Sequence, residues 1–145
     1  MLVLTLNCKY EDGPWISFTS IPNRIVGAYR LESVIVNGQD VTAQMDSLNI
    51  DHFHLDDEKQ IIGGDGGFWV IYVDTTTVQY ESWSLHYKDK EEIEFGVVSA
   101  KFAPLPGFFY TPSSNSWQIL KLSNNRFWLK INFNDQEYEV HLKEK

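Results

Sequence analysis

Residues 126–133 read RFWLKINF, and residues 136–144 read QEYEVHLKE after a break at Asn134-Asp135. Apolar side chains take every second position in both runs: Phe127, Leu129, Ile131 and Phe133 in the first, and Tyr138, Val140 and Leu142 in the second. A period of two places successive side chains on opposite faces of a strand. The two runs therefore predict a hairpin of antiparallel strands, each with one buried face and one face in water.

The same kind of pattern extends through most of the chain. A third run at residues 117–123 ends at Asn124-Asn125, and further strands are predicted at residues 25–36, 49–55, 60–62, 68–74, 77–87 and 92–102. No crossover helix separates them, so we expect an all-β fold, an up-and-down antiparallel β-barrel of about eight strands. A sandwich is the alternative, and a closed barrel is preferred because closure removes the unpaired edges that would otherwise pair with neighbouring chains.

The first long run also predicts which of its side chains point inward. Tyr29, Leu31 and Ile35 fall on one side of it, and Asn37-Gly38 then favours a turn, because both residues tolerate positive φ. Asp40 precedes residues 41–48 as a helix N-cap. One short helix is therefore expected between the first two long strands.

The composition supports one core and limits the partners. The chain of 145 residues fits a single domain, and its 5 Trp, 7 Tyr and 9 Phe suit pleated, half-buried surfaces. A formal net charge of -8 argues against nucleic acid or an anionic membrane surface as a partner, because both require clustered Lys and Arg. The single cysteine, Cys8, cannot form an internal disulfide.

Residues 1–23 differ from the rest of the chain. Residues 1–7 are apolar and are interpreted as the remnant of a signal segment, although no positive leader precedes them. A charged, turn-rich stretch follows at residues 9–14, with a second break at Pro22-Asn23. We therefore divide the chain into a signal remnant and tether at residues 1–23 and a barrel domain at residues 24–145.

Three groups of residues invite a chemical interpretation. His52 and His54 share one face of their strand and could grip a metal if a third ligand converged, but solvent-facing histidines are the simpler interpretation. The glycine run at residues 63–67 lacks the ending of a phosphate loop and is interpreted as a wide turn. The carboxylates at residues 89–94 lie beside lysines, where charges are normally solvated. No catalytic signature accompanies them, so we predict neither an enzyme nor a cofactor.

A resemblance to a known family is carried by two stretches. Residues 8–17 read CKYEDGPWIS, with RIVGAYRL at residues 24–31 and NGQDVT at residues 37–42, and residues 116–123 read SWQILKLS before the closing strands. These stretches resemble small bacterial lipoproteins with a lipocalin-like domain, common in Bacteroidetes. The resemblance implies a lipocalin-like barrel and a lipid-modified Cys8 that tethers it to the cell envelope. Asn7 and Tyr29 depart from the pattern, standing where a small residue and a Trp are usual.

The barrel interior is the expected functional site, because eight strands enclose a space that is either filled by side chains or holds one small ligand. The candidate ligand cavity comprises Tyr29, Leu31, Trp83, Leu85, Tyr87, Phe127, Leu129 and Tyr138. The aromatic residues Phe108, Phe109 and Tyr110, flanked by prolines, form a candidate lid or simply cap the core.

The leading hypothesis is a cell-envelope lipoprotein that binds a small apolar molecule at the open barrel end. The alternative is a solid-cored interaction module that uses Trp128 and the loop tips as contacts. An enzyme that uses the barrel interior comes third. The membrane is expected as a partner only through the lipid anchor.

Overall fold

The computed structural model describes residues 21–56, 66–73, 76–85, 92–95, 116–123 and 125–145. The elements in these residues are α1 (Ile21–Ile25), β1 (Gly27–Val36), β2 (Gln39–Asp40), α2 (Thr42–Met45), a 3-10 turn (Asp46–Leu48), β3 (Ile50–Leu55), β4 (Gly66–Val73), β5 (Thr76–Leu85), β6 (Glu92–Phe95), β7 (Ser116–Ser123), β8 (Arg126–Phe133) and β9 (Gln136–Glu144). The strand predicted at residues 60–62, and the second half of the one predicted at 92–102, lie outside the described residues.

The strands close into a barrel. From β3 to β9 each strand pairs antiparallel with the next one in the chain, and β3 also pairs with β1. β9 then pairs with β1 from Tyr29 to Val36, which completes a ring of eight strands. β2 is a two-residue partner at the end of β1. The predicted all-β, up-and-down antiparallel barrel is confirmed.

One hydrophobic core fills the inside of this ring, and all eight strands contribute to it. Trp83, Trp117, Phe53 and Phe127 are among its largest fully buried side chains. The hairpin of β8 and β9 has the predicted faces, because Phe127 pairs with Leu142 and Leu129 with Val140, all fully buried. Each buried aromatic side chain removes on the order of 150–250 Å² from water, so these residues dominate the stability of the barrel.

The inward face of β1 changes partway along the strand. The register with β9 shifts between Leu31 and Ser33, so one extra residue is accommodated on β1. A bulge of this kind reverses the alternation of the residues that follow it. Val34 is fully buried in the core, whereas Ile35 is only half-buried and lies outside the core cluster. The prediction that Ile35 shares the inward face of Tyr29 and Leu31 is therefore wrong.

A short helix stands where the sequence predicted a break at Pro22-Asn23. Pro22 is the second residue of α1, and the first turn of a helix tolerates proline because its N–H would have no intrahelical acceptor. Ile25 is fully buried in the core, and Arg24 Nη1 donates to the carbonyl oxygen of Leu122 over 3.0 Å. α1 therefore lies against the end of the barrel at which β1 begins.

The predicted helix after the Asn37-Gly38 turn is also present. Asn37 and Gly38 both have positive φ, and α2 with its 3-10 turn follows β2 directly. The cap differs from the prediction, because Val41 occupies the N-cap position and makes no side-chain cap. The carboxylate of Asp40 instead accepts a hydrogen bond from the Thr42 N–H over 2.8 Å.

Candidate functional site

The structure brings together most of the residues predicted to line a ligand cavity. Six of them are buried in the core, with at most 8% of each side chain exposed: Tyr29, Trp83, Leu85, Phe127, Leu129 and Tyr138. Leu31 is partly buried and packs against them. The rings of Tyr29 and Phe127 lie with centroids 5.8 Å apart, in direct contact. These six side chains therefore act as packing partners of one another.

Several predicted residues lie outside the described part of the chain. They are Cys8, the proposed lipidation site, Tyr87 of the cavity set, and Phe108, Phe109 and Tyr110 of the candidate lid. Their roles stay predictions. β6 and β7, the strands between which the lid residues fall in sequence, are paired through Glu94 and Ser116.

The two histidines of β3 are half-buried. Within the described ranges, no three His, Cys, Asp or Glu side chains are arranged to hold a metal ion. The His52 ring stacks on Tyr72 with centroids 4.2 Å apart, and its Nδ1 lies 2.8 Å from Asp51 Oδ2. His52 is therefore held by its neighbours on β3 and β4.

The last glycines of the predicted turn belong to a strand. Gly66 and Gly67 begin β4, and both are buried. A Cβ on Gly67 would collide with the carbonyl oxygen of Asp56, which also accepts a 2.9 Å hydrogen bond from Trp83 Nε1. Gly67 is required because another part of the backbone approaches it closely.

A cleft that the sequence did not predict lies beside the barrel, between β1, α2 and the start of β3. We call it the side cleft. It has a volume of about 360 Å³ and is lined by Arg30, Leu31, Thr42, Met45, Asp46, Asn49, Ile50 and Asp51. Leu31 is the one predicted cavity residue among them. This volume lies within the range of about 300–1,000 Å³ that is usual for small-molecule sites.

The side cleft exists because β1 and β3 separate. Their pairing covers only the segment from Gly27 to Tyr29 of β1, and α2 with its 3-10 turn follows before β3 begins. Thr42 fastens this segment to β1, because its Oγ1 accepts a 2.9 Å hydrogen bond from the Val34 N–H. The same hydroxyl donates to Asp40, and this hydrogen bond, together with the one from the Thr42 N–H, holds the pKa of Asp40 below its ordinary value.

The wall formed by β3 carries an internal ion pair. Asp51 Oδ2 lies 3.0 Å from Lys145 Nζ and 2.8 Å from His52 Nδ1. The hydrogen bond from Lys145, followed by that from His52, lowers the pKa of Asp51. The carboxylate of Asp51 is thus ionised and already paired, which leaves Arg30 and Asp46 as the other charged groups of the cleft lining.

Four neighbouring side chains form a row across the outer face of β7, β8, β9 and β1. Trp128 pairs with Lys121 on β7 and with His141 on β9, and His141 pairs with Ser33 on β1. The Lys121 ammonium lies 4.3 Å from the centre of the Trp128 ring, a cation–π distance. Trp128 Nε1 and His141 Nε2 are buried and have no hydrogen-bond partner in the described part of the protein.

Two comparisons of the sequence with known proteins found no match. No protein-family model matches the sequence, and a search of curated proteins finds no match either. Among the helices of the described residues, none is long and apolar enough to cross a membrane. The fold and the side cleft therefore define the protein only as a closed all-β barrel with a small-molecule-sized cleft on its side.

Proposed function

We propose that this protein is a binding protein that takes a small, partly apolar molecule in the side cleft, with the filled barrel as its scaffold. The observation that carries the proposal is the lining of the cleft. Met45 is buried, Leu31 and Ile50 are half-buried, and five polar residues complete the lining. Small-molecule sites combine apolar side chains with a few polar groups that fix the orientation of the ligand.

The proposal moves the expected ligand from the barrel interior to its side. Trp83, Phe127 and Leu129 are at most 1% exposed and pack within one core, so a ligand among them would have to displace well-packed side chains. A ligand in the side cleft would not have to displace any of these core side chains. Leu31 lines the cleft and packs against the core, so it joins the two regions.

Binding of amphipathic compounds, measured by calorimetry, tests the proposal. Ile50→Trp fills the cleft with a larger side chain and should weaken binding at least about tenfold. Ile35→Trp is the matched control, because Ile35 is half-buried on β1 but does not line the cleft. Equal affinities in the two variants, or no binding by any compound of the panel, would contradict the proposal.

Attachment to the cell envelope through Cys8 is the second part of the proposal. Its support is the cysteine before a charged tether and the resemblance to lipocalin-like lipoproteins. One acyl chain anchors only marginally, so stable attachment requires more than one. Mass spectrometry of the protein from its native membrane fraction should find an acylated N-terminal cysteine at position 8. An intact peptide that includes residues 1–7 would refute the anchor.

A solid-cored interaction module is the second candidate function, and it is favoured by Trp128 and its neighbours on the outer face of β7, β8 and β9. Trp128 offers an aromatic surface beside Lys121 and Arg126, with the Arg126 guanidinium carbon 5.9 Å from the ring centre. Aromatic and Arg side chains are common anchors of protein interfaces. The panel of amphipathic compounds separates the two functions. If the protein is an interaction module, no compound should bind, and Ile50→Trp should not change the binding of its partner protein.

A further inference from the structure

We propose that the ligand of the side cleft is a zwitterion with one apolar side chain, of the class of free apolar amino acids and short apolar peptides. This inference rests on the proposed function and adds the chemistry of its ligand. The charges of the cleft lining carry it.

Two of the three charged residues in the cleft lining, Arg30 and Asp46, are available to bind a ligand. Within the residues that the structure describes, neither Arg30 nor Asp46 forms an ion pair, and they do not pair with each other. Asp51 differs, because Lys145 and His52 already hold its carboxylate. The cleft therefore offers one free guanidinium and one free carboxylate to a ligand.

These two groups belong to different walls of the cleft. Arg30 lies on β1, and Asp46 begins the 3-10 turn after α2. The apolar side chains of Leu31, Met45 and Ile50 line the same space. A ligand that reaches both charges therefore also contacts an apolar surface.

The free energy of desolvation then selects the ligand charge. Both residues are exposed in the free protein, and a purely apolar molecule that covered their charged groups would remove water from them and replace it with nothing. An anion would pair with Arg30 and a cation with Asp46, and each would leave the other group without a partner. A zwitterion satisfies both at once, because its carboxylate suits the fork of a guanidinium and its ammonium suits a carboxylate.

Four compounds that share one side chain test the inference: free phenylalanine, phenylalanine methyl ester, N-acetylphenylalanine and N-acetylphenylalanine amide. At about pH 6 they are respectively zwitterionic, cationic, anionic and neutral, because an α-amino group ionises with a pKa near 7.7–8.0. We expect calorimetry to find free phenylalanine bound at least about tenfold more tightly than each of the other three.

Two variants that each remove one charge test whether Arg30 and Asp46 bind the two charged ends of the ligand. Arg30→Gln should abolish the preference for free phenylalanine over the methyl ester, and Asp46→Asn should abolish its preference over N-acetylphenylalanine. Arg126→Gln and Asp135→Asn are matched controls, because neither residue lines the cleft, and both should keep the wild-type preferences.

The outcomes separate this inference from the function on which it rests. Binding of the neutral amide as tight as that of free phenylalanine, with both weakened by Ile50→Trp, would overturn the zwitterion and leave the cleft as an apolar site. Equal binding of free phenylalanine by wild type, Arg30→Gln and Asp46→Asn would also overturn it. Failure of all four compounds would overturn it too, and the broader amphipathic panel would then decide whether the proposed function also fails.

Discussion

Trp128 and His141 stack face to face on the outer surface of the barrel, with ring centroids 4.1 Å apart and planes within 12° of parallel. They are directly paired residues of β8 and β9, and His141 Nδ1 lies 2.9 Å from Ser33 Oγ on β1. Only 14% of the His141 side chain is exposed, although it points away from the core. This stack covers a histidine that the sequence pattern alone would place in water.

The burial of His141 predicts a loss of stability in mild acid. Desolvation lowers its pKa below the ordinary value of 6.5, against the opposite effect of the nearby carboxylates of Glu139 and Glu32, while Lys121 and Arg126 lower it further. The folded state therefore binds a proton less readily than the unfolded state. The stabilisation is complete above pH 6.5 and declines as the pH falls through 6.5 towards the lowered folded pKa.

His141→Gln should remove this part of the pH dependence. The midpoint of urea unfolding should fall less for the variant than for wild type between about pH 7 and pH 5, where an unperturbed histidine changes its charge. His54→Gln, which replaces a half-buried histidine of β3, is the control. Its unfolding midpoint should still show the loss of stability in acid that is due to His141. Identical pH profiles for wild type and His141→Gln would contradict the prediction.

Tyr29→Phe should destabilise the protein by about 1 kcal/mol, the usual contribution of one hydrogen bond. The Tyr29 hydroxyl donates to the Arg24 carbonyl oxygen over 2.9 Å and so ties α1 to β1. Burial, with a smaller effect of Glu144, raises the pKa of Tyr29 far above its ordinary value, so the hydroxyl stays a donor at every physiological pH.

Tyr138→Phe is the matched control for the Tyr29 variant. The Tyr138 hydroxyl bonds to the exposed side chain of Gln136, which water can hydrate instead, so we expect a change within about 0.5 kcal/mol. Urea unfolding with an unchanged slope measures both. A loss in Tyr29→Phe no greater than that in Tyr138→Phe would show that α1 is not held through this hydroxyl.

Thr42→Val should detach the wall of the side cleft, because the hydroxyl of Thr42 both accepts from the Val34 N–H and donates to Asp40. We expect a loss of about 1–2 kcal/mol in the free energy of unfolding and faster hydrogen exchange at the Val34 amide. Thr42→Ser retains the hydroxyl and should stay close to wild type. Equal Val34 exchange in the two variants would refute this role.

Gly67→Ala should be more damaging than Gly38→Ala. A methyl group at residue 67 meets the backbone of Asp56 and the Trp83 indole, and relief requires movement of main chain, at a cost of about 2–3 kcal/mol. At Gly38 nothing lies within 4 Å, and the cost of about 1 kcal/mol comes only from its positive φ of 79°. Thermal unfolding compares the two, and the reverse order would contradict the packing described at Gly67.

The parts of the fold that follow local rules could be predicted from the sequence. Phe127 and Leu129 face inward because alternation and flanking turns determine the face of a strand, and Asn37-Gly38 turns because both residues accept positive φ. The bulge between Leu31 and Ser33 could not be predicted in this way, since it depends on the register with β9, a strand from the far end of the chain.

The side cleft could not be predicted for a related reason. Arg30 and Asp46 carry no local motif, and they share a site only because β1 leaves β3 after Tyr29 and α2 follows in between. The sequence offers one signal in the Asp40-Val41-Thr42 segment, where Asp40 predicts a helix N-cap. In the structure, Thr42 of that segment positions the cleft wall against Val34.

Backbone amide NMR during titration with free phenylalanine tests whether the side cleft is the binding site. We predict that the largest changes in chemical shift fall on Arg30, Met45 and Asn49, which line the side cleft, while Phe127 and Leu129 of the interior change little. Largest changes at Phe127 and Leu129 would contradict the claim that the side cleft is the binding site, and no change at the cleft residues would contradict the binding of free phenylalanine there.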